Sequence, residues 1–305
     1  MKLGFVSAIF PEWTLDEVLG FAATVGYSSV EVMCWPPGKA ERRYAGVTHL
    51  DATKLGRGPV RDTLDLTERH GVAISSLGYY PNPLASDPDE SGRAVAHLAT
   101  LIDAAAELGV GTVTSFVGRD PKLTVEANWP RFLDVWGPLV EKAEGQGVRI
   151  GIENCPMLFT QDEWPGGKNL ATSPSIWRRM FEAIPSPSFG LNYDPSHLVF
   201  QRIDHLAPLA EFRDRLVHVH AKDVRVDRKG LDEHGILGYP NLWHTPKLPG
   251  LGEIRWGEFL GTLAEAGYDG HVAVEVEDRA FEGSLARRQE ALVLSRRHLI
   301  QHLAG

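Results

Sequence analysis

Four short runs end in groups that can hold a cation or move a proton: Ile152-Glu153-Asn154, Tyr193-Asp194-Pro195-Ser196-His197, His218-Val219-His220 and Val274-Glu275-Val276-Glu277. Each starts as a β-rich segment of alternating character. Ile150 and Ile152 oppose Gly151 and Glu153; Leu191 and Tyr193 oppose Gly190, Asn192 and Asp194; Val217 and Val219 oppose His218 and His220; Val272, Val274 and Val276 oppose Ala273, Glu275 and Glu277. Successive side chains of a strand face opposite sides, so each segment has an apolar and a polar face, with an ionisable group near its end. Any one of these acids could cap a helix or pair with an arginine. Four polar strand ends in succession point instead to one shared site.

Convergence of Glu153, Asp194 and Glu275 calls for a compensating cation, because ionised carboxylates repel at short range. Three carboxylates and one imidazole (Glu153, Asp194, His220, Glu275) suit a hard or borderline divalent ion with open coordination positions: Mn2+ by preference, with Mg2+, Co2+ or Zn2+ compatible. Pro195 turns the chain out of its strand and places His197 on a loop, within reach of the ion or of a substrate hydroxyl. Such an ion can chelate a carbonyl oxygen and the neighbouring hydroxyl and stabilise an enediolate. Glu153 and Glu275 can then serve as the acid/base pair. Proton return to the opposite face gives epimerisation, return to the adjacent carbon gives aldose–ketose isomerisation, and loss of a β-hydroxyl gives dehydration.

Other residues carry weaker signals. Lys222 and Asp223 could bind substrate oxygens or form a surface ion pair. Trp13, Trp35, Tyr79 and Tyr80 follow the first three strands and could supply a face for a sugar ring, although core packing is the commoner fate. Cys155 reads as a small buried hydrophobe and His218 as a satisfied interior residue.

The elements that must position these groups recur along the chain. Eight β-rich runs, at 2–7, 28–34, 72–78, 110–116, 148–154, 188–194, 216–222 and 271–278, alternate with stretches of helical apolar spacing such as 15–26, 60–71, 94–109, 132–147 and 256–267. Gly26, Gly71, Gly109 and Gly147 close several of them, as expected of left-handed helix ends. This α/β alternation over residues 1–305, with no linker-like stretch, predicts one domain, a single parallel (β/α)8 TIM barrel with its active site at the C-terminal mouth. No G-x-G-x-x-G follows the first strand, which argues against a doubly wound sheet and against a bound NAD. Two long loops, at about 155–173 and 224–253, are expected to cover the mouth, with Trp164, His234, Trp243, His244 and Lys247 as candidate substrate contacts.

Composition narrows the partners. With 43% hydrophobic residues the chain can build a large core, and a net charge of −9 with scattered basic residues argues against nucleic acid. No apolar run approaches the roughly 20 residues that span a bilayer. The N-terminus lacks a signal sequence, and two cysteines fit free thiols, so a cytoplasmic protein acting on a small sugar or cyclitol is expected. A homo-oligomer stays open.

The runs Ile152-Glu153-Asn154, Asn192-Tyr193-Asp194-Pro195-Ser196-His197, His218-Val219-His220-Ala221-Lys222-Asp223 and Val274-Glu275-Val276-Glu277-Asp278 resemble the xylose isomerase-like TIM-barrel superfamily, in its sugar phosphate isomerase/epimerase branch. By that resemblance Glu153, Asp194, His220 and Glu275 match the metal ligands, Glu153 and Glu275 also match the acid/base pair of ketose 3-epimerases, and His197 matches a substrate-contacting histidine. Leu248-Pro249-Gly250-Leu251-Gly252-Glu253 is similar to a turn before the family's seventh helix. The resemblance implies a metal-dependent sugar isomerase or epimerase. The same branch holds inosose and dehydroshikimate dehydratases, and deglycosidases that need a partner subunit. An abasic-site nuclease of the superfamily would need histidines at the ends of strands 2 and 3, which here read VMCWPP and LGYYPN.

Overall fold

The computed structural model describes residues 1–38, 45–158 and 167–303. All eight expected strand segments form. In chain order the strands are β1 (Lys2–Val6), β2 (Ser29–Met33), β3 (Ala73–Gly78), β4 (Thr112–Ser115), β5 (Arg149–Glu153), β6 (Phe189–Tyr193), β7 (Leu216–Ala221), β8 (Asp223–Val226), β9 (His244–Lys247) and β10 (His271–Val274). The helices are α1 (Leu15–Val25), α2 (Arg57–His70), α3 (Pro88–Leu108), α4 (Val125–Gly145), α5 (Pro174–Ala183), α6 (Ser196–Phe200), α7 (Ala207–Glu211), α8 (Arg228–His234), α9 (Trp256–Glu265) and α10 (Leu285–Leu299). β1 to β7 and β10 close a parallel barrel in the order β1-β10-β7-β6-β5-β4-β3-β2, while β8 and β9 form a separate antiparallel pair. The fold is a (β/α)8 TIM barrel. Among the described residues no helix is long and apolar enough to cross a membrane.

Local chemistry explains the boundaries. Thr14 and Glu17 make a reciprocal capping box at the start of α1, satisfying donors that the first turn leaves free. Gly26 takes φ 90° at its end, a left-handed conformation that costs glycine little. α4 stops at Gln146 rather than at the expected glycine, and Gly147 supplies the left-handed turn one residue later. The outward faces of the strands (Val30, Val32, Ile150, Ile152, Leu191, Val219) join one core with Trp136, Trp177 and Trp256 of the surrounding helices. Removal of this apolar surface from water is the main drive for closure of the ring.

Three sequence expectations change in detail. His197 sits not on an open loop but in α6, a short helix that begins immediately after Pro195. The proline's φ of −66° already suits a helical start, so the chain turns into a helix instead of a coil. β10 ends at Val274, so Glu275 and Glu277 lie just past the strand, with the Glu275 amide still donating to the Ala221 carbonyl at 3.3 Å. The loop at 224–253 is folded: it holds the β8–β9 hairpin and α8, and its Trp243 is buried against Phe200 and Val224. Trp164 lies outside the described residues.

Candidate active site

One ligand atom each of Glu153, Asp194, His220 and Glu275 lies within 4.8 Å of the others. The strands that deliver them, β5, β6, β7 and β10, are consecutive neighbours in the ring, so parallel pairing places their C-terminal ends side by side. The side chains of Glu153, Asp194 and His220 are buried, whereas Glu275 is 20% and Glu277 32% exposed. The cluster therefore opens on the side of those two glutamates.

The two most deeply buried members each have one atom committed and one presented. Asn154 and Asp194 exchange side-chain-to-backbone hydrogen bonds of 2.9 and 2.8 Å, clamping the ends of β5 and β6 together. The Ser196 amide then donates to Asp194 Oδ1 at 2.8 Å. His220 Nε2 donates to Glu31 Oε2 at 2.8 Å. What remains is Asp194 Oδ2 and His220 Nδ1, both buried and without a hydrogen-bond partner. Lys222 Nζ lies 3.1 Å from Asp194 Oδ2, an ion-pair distance that lacks hydrogen-bond geometry. His220 Nδ1 stands 3.6 Å from Glu275 Oε2 and 3.8 Å from Glu153 Oε1. Buried polar atoms left unsatisfied are costly and rare. A divalent ion set among these three oxygens and one nitrogen would satisfy both, so the residues fit a metal of the Mn2+ or Zn2+ type.

Glu31 is the residue that sequence reasoning missed. It is fully buried on β2, where Tyr80 donates to its Oε1, Thr114 Oγ1 donates to the same oxygen at 2.8 Å, and His220 takes Oε2. Burial opposes its ionisation, but the charge of His220 and the hydrogen bonds of His220 and Tyr80 outweigh this and hold its carboxyl below the usual range. An ionised Glu31 fixes the proton of His220 on Nε2 and so aims Nδ1 at the cluster, as carboxylates behind metal-binding histidines commonly do. Room for it comes from Gly78 on β3, where a Cβ would lie 2.8 Å from Glu31 Oε1 and 2.2 Å from Met33 Cε. The available signal was a lone acid between Val30 and Val32 in the strand run Ser29–Met33. His218 is the satisfied interior residue expected, paired to Asn192 Oδ1 and Ser75 Oγ at 3.1 Å each, and burial pushes it down to about 3.

The remaining candidates divide. His197 reaches the cluster, with Nε2 at 3.2 Å from Glu153 Oε1 and 3.1 Å from Lys222 Nζ. Lys222 is no surface ion pair: it is 3% exposed, and its ammonium lies among the carboxylates. Trp13 stacks on Phe10 with centroids 4.0 Å apart and packs edge-on to Phe21. Tyr79 packs edge-on to Trp35 and His97; its neighbour Tyr80 is the one whose hydroxyl enters the site, because adjacent residues leave the strand end in opposite directions. His244 stacks on Phe200, and burial with the nearby His197 and Lys222 leaves it titrating at about 4 despite its bond to the Pro240 carbonyl. Lys247 pairs with Asp278 at 2.9 Å. His234 is exposed on α8. Cys155 is half-buried and packs against the apolar cluster of Phe116 and Met157, with its sulfur within 4.8 Å of ligand atoms of Glu153 and His197.

Asp223 has a structural role. Its carboxylate accepts from the amides of Val224, Gly250 and Ile254 and from Trp256 Nε1, at 2.8 to 3.1 Å. This draws the 248–254 turn so close that a Cβ on Gly252 would meet Asp223 Oδ1 at 2.1 Å. Asp223→Ala is expected to cost about 3 kcal/mol or more, since several buried donors lose their acceptor together. Urea unfolding measures it; a loss under about 1 kcal/mol would show that packing alone holds the turn.

Comparisons with known proteins agree with this architecture. The chain is 36% identical to the rhizopine catabolism protein MocC of Rhizobium meliloti over 245 residues, covering 78% of this chain and 73% of that protein. It is 33% identical to an inosose dehydratase of Geobacillus thermodenitrificans over 183 residues, or 58% and 57% of the two chains. The crystal structure of the IolI protein with a zinc atom shares the fold, with a TM-score of 0.71 at 18% identity and full coverage of both chains. A family model described as xylose isomerase-like TIM barrel matches residues 19–300. A closed parallel ring, polar strand ends gathered at its mouth and a family match along nearly the whole barrel lead to one assignment: the chain belongs to the xylose isomerase-like TIM barrel family.

Proposed function

We propose that this protein is a metal-dependent isomerase or epimerase that moves a proton at the carbon next to a carbonyl, in a ketose, keto-sugar or keto-inositol. The observation that carries the reading is the pair of buried, unpartnered ligand atoms, Asp194 Oδ2 and His220 Nδ1, facing Glu153 and Glu275. A divalent ion held by these four residues supplies Lewis-acid polarisation of a carbonyl and an adjacent hydroxyl oxygen.

The chain's own groups supply the rest. Burial works against ionising Glu153, but His197, His220 and Lys222 hold its carboxyl well below the usual range. Burial likewise opposes ionisation of Glu275, while Lys222 chiefly, with His220, brings it down to about 2 despite the neighbouring Glu153 charge. Both glutamates are thus proton acceptors at neutral pH. They arrive from β5 and β10, three steps apart in a ring of eight strands, so they can address a substrate from different sides. His197, beside Glu153, can orient a substrate hydroxyl or share the returning proton. The half-exposed Glu275 side is where a polyhydroxylated ligand would enter.

A second reading, dehydration of a keto-inositol or related ketone, is favoured by the 33% identity to inosose dehydratase. It uses the same first proton abstraction and then expels a β-hydroxyl. A nuclease reading finds less support: His49 is tied to Ser7 and the Phe10 carbonyl, and His97 to the Cys34 carbonyl.

The test is isotope exchange. With Mn2+ present, ketoses and keto-inositols turned over in D2O should take up deuterium at the carbon next to the carbonyl in proportion to turnover, and EDTA should stop it. Turnover without solvent deuterium would overturn the two-glutamate mechanism in favour of a hydride shift. A dehydrated product carrying exchange in recovered substrate would select the second reading.

A further inference from the structure

Lys222 follows His218 and His220 at alternate positions, so it enters the barrel on the same face as they do. Its ammonium lies 2.6 Å from Glu275 Oε2, 3.1 Å from Asp194 Oδ2, 3.1 Å from Glu277 Oε2 and 3.9 Å from Glu153 Oε1. Three of these carboxylates belong to the proposed ligand set. Glu275 Oε2 and Glu153 Oε1 also stand nearest to His220 Nδ1, at 3.6 and 3.8 Å. An ammonium held at these distances and a divalent ion at about 2.0–2.6 Å draw on the same oxygen lone pairs. Two cations packed into one buried space also repel each other strongly. The two cations therefore compete for this space.

We propose that Lys222 is an internal counter-cation: its ammonium holds the carboxylate cage together in the metal-free protein, and a divalent ion binds by displacing it. Four buried or half-buried carboxylates carry a heavy desolvation and repulsion penalty, and the ammonium that reaches all four offsets a large share of it, so the metal-free barrel is weakened when this lysine is lost. Metal affinity is correspondingly lowered by the work of moving it. Glu277 lies outside the ligand set and on the open side, and it is the carboxylate that Lys222 can keep after displacement. A lysine that served only to bind substrate would have no reason to contact three proposed ligands at once.

The inference rests on the metal-centre reading, and the experiment separates the two. Wild type and Lys222→Met, each stripped with EDTA, are titrated with Mn2+ by calorimetry, and their melting temperatures are read with and without the ion. The variant should bind Mn2+ on the order of 10-fold tighter or more, because one positive charge has left the neighbourhood of the ion. It should melt below wild type when metal-free and lose most of that gap when Mn2+ is added. Lys222→Gln, which keeps a polar end against the same oxygens, carries the same expectation if the Met variant fails to fold. Equal or weaker Mn2+ binding by a folded variant, with wild type binding normally, overturns the counter-cation role and leaves the metal centre standing. Absence of Mn2+ binding in wild type and variants alike removes both.

Discussion

Glu153→Gln and Glu275→Gln each lower turnover by on the order of 10²-fold or more at saturating metal, with the loss in kcat rather than in KM alone. Glutamine keeps one oxygen that can still face an ion but cannot accept a proton, so the substitution separates ligation from base chemistry. The expectation follows from two carboxylates that neighbouring cations hold ionised in the metal-free protein and that a bound divalent ion would hold ionised in its place, with Glu275 partly open to solvent and Glu153 enclosed. Steady-state kinetics on a substrate found by deuterium exchange, with metal content measured beside it, decides the matter. Near-normal kcat in either variant at unchanged metal content removes that residue from the acid/base pair. A change at His218, which lies behind the cluster against Asn192, Ser75 and Glu31 and outside the four proposed ligands, should act mainly on stability.

Asp194→Ala and His220→Ala are expected to purify with less than about a tenth of the wild-type metal after saturation with Mn2+ or Zn2+, because each removes one of the four proposed ligand atoms. Glu31→Gln retains the site but weakens it by about 10–100-fold, the usual effect of losing the carboxylate behind a metal-binding histidine. Elemental analysis and calorimetry measure both. Binding should also strengthen as pH rises: burial disfavours a charged His220, yet Glu31 first and then Glu275 and Glu153 raise its pKa well above the ordinary value. Nδ1 therefore carries a proton in the metal-free protein and must release it, so acid competes with the ion. Metal retained at wild-type affinity by Asp194→Ala and His220→Ala would show that the ion, if any, sits elsewhere.

Much of the barrel was legible because its evidence is periodic and local. Two-residue alternation in Gly151-Ile152-Glu153 or His218-Val219-His220 assigns a face to each side chain wherever the strand lies. A glycine after an apolar stretch, as at Gly26 or Gly109, stops a helix by its own backbone freedom. Parallel strands joined by helices must present all their C-terminal ends on one side, so the carboxylates and His220 could be gathered at a mouth from spacing alone.

What the sequence could not show is which side chains meet across the ring. Glu31 and His220 are 189 positions apart and touch only because strand tilt and the closed order of the barrel bring β2 and β7, three steps apart in the ring, within reach across its interior. The choice of Tyr80 over Tyr79, and the placing of Lys222 among the carboxylates rather than at the surface, depend on the direction in which each strand end releases its chain. Sequence alternation determines which face of a strand is polar. Only the closed ring, whose stagger fixes distances between non-neighbouring strands, decides that Glu31 meets His220 and that the Lys222 ammonium lies among Glu153, Asp194, Glu275 and Glu277.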